Sequence, residues 1–256
     1  YTYQVYDFDT DELIATREVN QGVKFNDRYA TRNGYTLIGL FDENKNPWDS
    51  NFTHPGGETD TAVKVYAKYL EGDYTVVRTA TELKIAANGN NNIYIANDID
   101  MQGESLSFKN FTKEFLGNNC TISNFVLSYS STKDSLVSDY EDNSKNSLSI
   151  SLFGDTNGAK ICDVNFTGVT VDVDTDFSQI YKIYVAPISV NAVNTEISNV
   201  TVEGTVTISR LPSDVQADME NRLVLQLTDA VCFKDQSSTV TEFTSQLKFT
   251  ENNLEE

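Results

Sequence analysis

The chain has 256 residues, which is enough for one large or two smaller domains, and it carries 38 acidic and 19 basic residues for a formal charge of −19. Such a negative surface repels phosphate backbones and anionic headgroups, so neither nucleic acid nor an anionic membrane is an expected partner. No apolar run reaches the ~18 residues that a membrane-spanning helix needs, so we expect no membrane insertion.

The residue types favour strands. Val, Ile, Thr, Tyr and Phe are plentiful and fit pleated, half-buried surfaces, whereas Asn, Asp, Ser and Gly separate the apolar runs as turns require. Long stretches with apolar residues three and four apart are scarce. The composition therefore predicts an all-β protein of many short strands.

The three cysteines, Cys120, Cys162 and Cys232, lie far apart. Their spacing matches neither a disulfide framework nor a zinc site, so we expect small buried apolar side chains. The sequence starts at Tyr1 without Met or a signal peptide. We therefore expect either a removed signal or a start inside a longer protein, and an extracellular location.

Residues 1–72 are predicted to form a first domain. Alternating apolar residues and flanking turns, including an Asn-Gly turn at 33–34, predict strands at 3–8, 13–19, 35–41 and 61–69. The one histidine, His54, lies on a Pro-Gly loop, where we expect it to be solvated and without function. Catalysis by histidine therefore has at most one candidate.

Two segments of this domain carry a resemblance. The stretch TRNGYTLIGLFDENKNPWD at 31–49 and the strand VKVYAKY at 63–69 resemble the Listeria–Bacteroides repeat, the internalin-B-type β-grasp repeat of bacterial surface proteins. The family usually has Trp after the central glycine, where this chain has Leu40 after Gly39. The resemblance implies a small β-grasp-like module that acts as a spacer or adhesive domain.

Residues 73–256 contain an internal repeat, as a solenoid would. A short cassette of alternating apolar residues starts at Cys120, Ala159, Thr195 and Ser238, and its anchors Ile122, Ile161, Ile197 and Val240 are 39, 36 and 43 residues apart. A second column precedes each of the last three anchors and a third follows it, so each repeat has three short strands. We therefore predict a right-handed parallel β-helix with long loops at 130–147 and 209–222 and a cap helix at 80–88, where Thr79 is the N-cap.

The opening of this part also carries a resemblance. The segments at 79–83, 93–101 and 115–122 are similar to the first coils of pectate-lyase-like surface proteins. The stretch with SLFG at 151–154 and AKICDVNFTGV at 159–169 resembles the GLUG motif. That motif occurs in secreted adhesins and in some IgA-peptidase precursors, so the resemblance implies a β-helix on a bacterial cell surface.

The candidate metal ligands are Asp172, Asp174 and Asp176, which alternate at a strand end. Alternating carboxylates can lie on one face, and calcium takes several such oxygens. The segment lacks the glycine and the distant glutamate of an EF-hand, so a solvated acidic strand edge is the alternative. Calcium is the one cofactor that the sequence leaves open.

No catalytic residue is assigned. The ionisable residues that point outward in the anchor strands are Lys160, Asp163 and Glu196. Hydrolases and lyases with a β-helix fold use carboxylates in such positions, whereas a surface cluster of ion pairs is the simpler interpretation. A polysaccharide lyase or hydrolase therefore stays an alternative to a protein without catalysis.

The sequence thus predicts a monomeric surface fragment that binds a host or cell-wall glycan or a surface protein. Exposed tyrosines, Tyr129 and Tyr140, are the candidates for stacking on sugar rings, and the two long loops would contact the partner. The alternatives are a carbohydrate-active enzyme or its accessory domain, and a structural stalk without a ligand.

Overall fold

The computed structural model describes residues 1–56, 61–130, 136–138, 146–174, 182–209 and 223–252. The chain is mainly β, as the composition predicted, and contains several parallel sheets, as the internal repeats predicted. It divides into two compact units, Tyr1–Tyr74 and Thr75–Glu256. The sequence placed the boundary between residues 72 and 73.

The first unit is a four-stranded sheet with a short 3-10 helix at Asp27–Tyr29. Its strands are β1 (Thr2–Asp7), β2 (Leu13–Glu18), β3 (Tyr35–Phe41) and β4 (Val63–Glu71). Their order is β2-β1-β4-β3, in which the central pair is parallel and both outer strands are antiparallel to their neighbours. This order, with the first and last strands at the centre, is that of a β-grasp-like module.

Aromatic side chains form much of the core of this unit. Tyr3 and Phe25 are buried with ring centroids 4.8 Å apart, and Trp48 packs edge-on against Phe25 at 5.9 Å. The Trp48 indole N–H donates to the Phe25 carbonyl oxygen at 3.3 Å. The module thus uses a tryptophan from the loop after β3, while Leu40 on β3 is partly buried against the same core.

His54 is not solvated as the sequence predicted. Its ring lies 4.7 Å from that of Tyr1 and 5.5 Å from that of Tyr3. Its Nδ1 accepts a hydrogen bond from the Gly56 amide at 3.1 Å, and its Nε2 is buried without a partner among the described residues. The Pro-Gly loop folds back on β1, so His54 has a packing role.

The second unit is a stack of parallel coils. Its strands are β5 (Tyr74–Val77), β6 (Asn92–Ile95), β7 (Ile99–Asp100), β8 (Glu114–Ser123), β9 (Val126–Ser130), β10 (Leu136–Ser138), β11 (Asn146–Ile150), β12 (Thr156–Asn157), β13 (Lys160–Asp174), β14 (Lys182–Val185), β15 (Ser189–Val193), β16 (Glu196–Ser209), β17 (Leu223–Leu225), β18 (Val231–Lys234) and β19 (Thr239–Asn252). The long sheet has the order β19-β16-β13-β8-β6-β5, and two smaller sheets have the orders β10-β11-β14-β17 and β12-β15-β18. Each of the last three coils contributes one strand to each sheet, which is the arrangement of a parallel β-helix.

One helix, α1 (Ala80–Ala87), lies between β5 and β6, at the first coil. The Thr79 hydroxyl accepts from the Glu82 amide at 3.2 Å, which confirms the predicted N-cap. Leu83 of α1 is fully buried in the core of the coils. Within the part of the chain that the structure describes, no helix is long and apolar enough to cross a membrane.

The inside of the coils is filled by stacked apolar side chains. Ile161 of β13 pairs with Ile197 of β16, which pairs with Val240 of β19, so the last three predicted anchors form one column. Both isoleucines are fully buried. Phenylalanines fill the earlier coils: the rings of Phe108 and Phe153 stack at 4.7 Å.

The predicted position of the first anchor is wrong. Ile122 pairs with Phe166, whereas Ile161 pairs with Phe115. Residues 117–119 of β8 form a corner that β13 forms with the single residue Asp163. The pairing of β8 with β13 therefore differs from the alignment of their sequence cassettes. Since both flanking segments alternate with period two, the sequence pattern does not distinguish the two registers.

Each coil bends at residues in the left-handed conformation. The long sheet has a corner with positive φ at Asn119 (58°), Asp163 (57°), Asn199 (51°) and Glu242 (52°). Asn and Asp adopt this conformation more readily than most residues. The bends divide β8, β13, β16 and β19 into segments, and the side chains that point outward from these segments align across the strands.

Another corner, after β18, depends on Asp235. Its carboxylate accepts from the amides of Asn194 at 3.1 Å and Ser238 at 2.8 Å, and from the hydroxyls of Ser237 and Ser238. These hydroxyl donors lower the pKa of the Asp235 carboxyl to about 2. The ionised carboxylate therefore ties the coil that contains β18 to the preceding coil.

Replacing Gly204 with Ala is expected to destabilise the coils. A Cβ at this position would lie 2.0 Å from the Val169 carbonyl oxygen on the neighbouring strand. We expect the free energy of unfolding to fall by ~3 kcal/mol, since backbone atoms cannot easily move aside. Urea unfolding followed by far-UV circular dichroism measures this loss.

Gly158→Ala is the matched control, because a Cβ there meets nothing within 4 Å and only the positive φ opposes it. It should cost ~1 kcal/mol. The fluorescence of Trp48, the one tryptophan, reports on the first unit and should be unchanged in both variants. Equal losses in the two variants would contradict the close approach of β13 and β16.

The role of Asp235 predicts a pH dependence. Because its pKa is lowered in the folded protein, its contribution to stability is present above the unfolded value of ~3.9 and is lost as the pH falls through about 2. Asp235→Asn should therefore be less stable than the parent at pH 6, and the difference should disappear near pH 2. Thermal unfolding at a series of pH values tests this, and a constant difference would refute it.

Candidate functional site

The candidate site is the outward side of the long sheet across β8, β9, β13, β16 and β19, here called the polar face. Strand register aligns its side chains in three rows that cross three or more strands: Thr121, Asn165, Thr201 and Thr244; then Thr170, Thr205 and Lys248; then Ser128, Asp172, Thr207 and Thr250. The exposed Glu203 pairs with Gln246 between the first and second rows. Neighbouring parallel strands lie ~4.8 Å apart, so the four members of the first row extend over ~14 Å. The face presents hydroxyl and carboxamide groups at a regular spacing.

The first row contains no charged residue. The Thr201 hydroxyl donates to the Asn165 Oδ1 at 2.7 Å. This contact uses the oxygen of the carboxamide, and no described residue accepts from its two N–H groups. Asn165 can therefore donate hydrogen bonds to a ligand, while the threonine hydroxyls can both donate and accept.

A second set of contacts, the corner ladder, borders this row. The Asn199 side-chain amide donates to the Asp163 Oδ1 at 2.8 Å and to the Asn119 Oδ1 at 3.2 Å. All three residues have positive φ and follow one another in successive coils. The corner ladder fixes the bend next to the polar face and thereby the position of the first row.

Three further ionisable residues lie beyond the corner ladder. Lys160 of β13 pairs with Glu114 on one side and with Glu196 on the other. This confirms the predicted stacking of Glu196 against Lys160 and adds Glu114, which the sequence analysis missed. Alternating charges on adjacent strands stabilise the sheet and also place two carboxylates beside one lysine.

The cysteines are poor nucleophiles. Burial raises the pKa of the Cys162 thiol to about 12, with Asp163 adding to the effect, and burial alone raises that of Cys232 to about 12. Burial also raises the pKa of Cys120. A thiol that stays protonated at neutral pH does not provide a reactive thiolate.

Tyr129, one of the two predicted sugar-stacking residues, does not lie on the polar face. Tyr129 points inward, two residues after the buried Leu127, and packs against the core. Its hydroxyl donates to the Ser151 carbonyl oxygen at 3.4 Å, and burial raises its pKa. The prediction that its ring is exposed is therefore wrong, because period two places residues 127 and 129 on one side. Tyr140 lies outside the described residues.

The predicted calcium ligands are only partly described. Asp172 is exposed in the third row, between Ser128 and Thr207. Asp174 ends β13, and its side chain lies outside the described part, as does Asp176. In the parts of the chain that the structure describes, no group of three or more His, Cys, Asp or Glu side chains could hold a metal ion. Calcium binding at these residues stays a prediction.

The first row was missed because its members are far apart in sequence, from Thr121 to Thr244. A signal was nevertheless present: threonine alternates with apolar residues in β16, at Thr201, Thr205 and Thr207. Threonine is a common strand residue, so this alternation alone does not point to a binding surface.

Comparison with known proteins gave no match: no family model, no curated protein and no solved structure is significantly similar to the chain.

Replacing Asn199 tests the corner ladder. Asn199→Gly removes the two side-chain hydrogen bonds but accepts positive φ, so it should cost ~1 kcal/mol of unfolding free energy. Asn199→Ala also opposes the left-handed backbone and should cost ~1 kcal/mol more. Chemical denaturation of both variants measures the difference; equal stabilities would show that the corner does not need positive φ.

Proposed function

We propose that the protein is a non-catalytic, secreted cell-surface module that binds a neutral glycan, free or carried by a surface protein, through the polar face. The first row, Thr121, Asn165, Thr201 and Thr244, carries the proposal. A polysaccharide offers repeated hydroxyl groups, and a row of hydroxyl and carboxamide groups on rigid strands can pair with them.

The charge of the protein favours a neutral glycan over an acidic one. The protein as a whole has a formal charge of −19, so acidic polysaccharides would be repelled at long range. The first row is uncharged, and the charged residues elsewhere on the polar face are Glu203, Lys248 and Asp172. A neutral polymer therefore meets no like charge on the first row and loses little solvation of ions when it binds.

The extracellular location and the adhesive role are supported by the residues that resemble bacterial surface repeats. These are the segments at 31–49 and 63–69 and the GLUG-like stretch at 151–169. They agree with a β-helix that displays the polar face.

A carbohydrate-active enzyme is the second candidate, because Glu114, Lys160 and Glu196 are aligned across three strands. Two carboxylates beside a lysine could in principle provide acid and base groups for cleavage of a polysaccharide. The row lies on the same sheet as the polar face, so one substrate could contact both. Turnover of a bound glycan that is lost in Glu196→Gln would favour the enzyme.

Screening the purified chain on immobilised neutral glycans, acidic glycans and host matrix proteins tests the proposal. We expect saturable binding to a neutral glycan, with no dependence on calcium. Thr201→Val keeps the side-chain shape and removes the hydroxyl, so it should weaken binding ~5-fold, the effect of about one hydrogen bond.

Thr239→Val is the matched control. Thr239 points outward from the same sheet but lies beyond the corner, in the row of Glu196. It should bind as the parent does. Binding only to acidic glycans, or equal binding by both variants, would contradict the polar face as the site, and no binding to any probe would favour a structural stalk.

A further inference from the structure

The last strand of the long sheet, β19, has one paired edge. Its 14 residues pair with β16 from Thr239 to Asn252, and no described strand pairs with its other edge. The N–H and C=O groups along such an edge are a template for another strand.

The apolar side chains of β19 are less covered than those of the preceding coil. Val240, Phe243, Leu247 and Phe249 point inward and are only partly buried against the core. Their stacking partners on β16 include Ile197, Val200 and Val206, which are all 0% exposed. Among the described residues, the inner side chains of the β19 coil therefore remain half open.

Features that normally protect an edge are scarce in β19. Natural edge strands often carry proline, several charges or an inward-pointing charge. From Thr239 to Asn252, β19 contains no proline, and its ionised residues are Glu242, Lys248 and Glu251, the last of which pairs with the inward-pointing Ile208 of β16. Its outward side chains are otherwise threonine and glutamine.

The residues of β19 suit a second copy of the same strand in antiparallel orientation. About a two-fold axis at Gln246, Phe243 would lie opposite the partner's Phe249, and Ser245 opposite the partner's Leu247. Thr244 would lie opposite the partner's Lys248, so no like charges face each other. Aromatic pairs in such cross-strand positions are stabilising.

We propose that the protein forms a two-fold dimer in which β19 pairs with β19 of a second copy, so that the last coils cover one another. The first coil holds the helix α1 and the short strand β5, so it offers no matching surface for head-to-tail stacking. A two-fold pairing closes on itself and stops at two copies. This differs from the monomer that the sequence predicted.

The dimer does not depend on the proposed function, but it would join two polar faces into one sheet. A polymer that contacts both faces would bind with an avidity greater than that of one face. The dimer is tested by the mass of the protein in solution, and the proposed function is tested by glycan binding. A failure of either test therefore leaves the other proposal standing.

Sedimentation velocity of the full chain at ~0.15 M salt, where charge repulsion is screened, tests the dimer. With rising concentration we expect a shift from 28.6 kDa to twice that mass, with no larger species. Ser245→Lys places a charge on the inward side of the edge and should raise the dissociation constant at least tenfold. Thr241→Lys, which adds the same charge at an exposed outward position, is the control and should dimerise as the parent does.

Hydrogen exchange of the parent decides the matter if the Ser245→Lys variant fails to fold. Amides of residues 239–250 should become more protected at high than at low protein concentration. A single species of 28.6 kDa at every concentration, larger oligomers, equal dimerisation of both variants, or protection that does not change with concentration would overturn the proposal.

Discussion

A continuous strand that turns the same corner at one left-handed residue keeps the last three coils of this β-helix in step. In the last three coils these residues are Asp163, Asn199 and Glu242, and all three have φ between 51° and 57°. Because side chains alternate along a strand, an error of one residue at the bend would turn the buried column outward. The hydrogen bond from the Asn199 side chain to the Asp163 carboxylate stabilises the bend in addition to the backbone pairing. Glu242 adopts the left-handed backbone conformation only at a cost in free energy.

The same constraint produces the polar face. Once the corner is aligned, every second residue beyond it points outward, and Asn165 and Thr201 meet although they are 36 residues apart. The inward residues between them pack in the core and hold the strands in place. The outward side chains of the polar face are therefore free to contact a ligand. A rigid array of hydroxyl and amide groups loses little conformational entropy on binding, which is why we propose the polar face as the binding surface.

Sequence patterns predicted the parts of this structure that depend on local chemistry. The strands followed from alternation, and the start of α1 followed from Thr79. Register could not be predicted, because the segment around Ile122 alternates in the same way as the one around Ile161, and only the length of the corner at 117–119 separates the two alignments. The polar row depends on that register, so the sequence could not place it, whereas the inward position of Tyr129 followed from its alternation with Leu127 and was overlooked.

The register of β8 against β13 is the central claim and can be measured by engineered disulfides. The structure pairs Thr121 with Asn165, so cysteines at these two positions should cross-link readily under mild oxidation, since the Cα atoms of paired strands lie within reach of a disulfide. The alignment of the sequence cassettes would instead pair Thr121 with Lys160. Rapid cross-linking of the 121–165 pair and none of the 121–160 pair is the expected result; the opposite outcome would contradict the stacking of the coils and the polar face built on it.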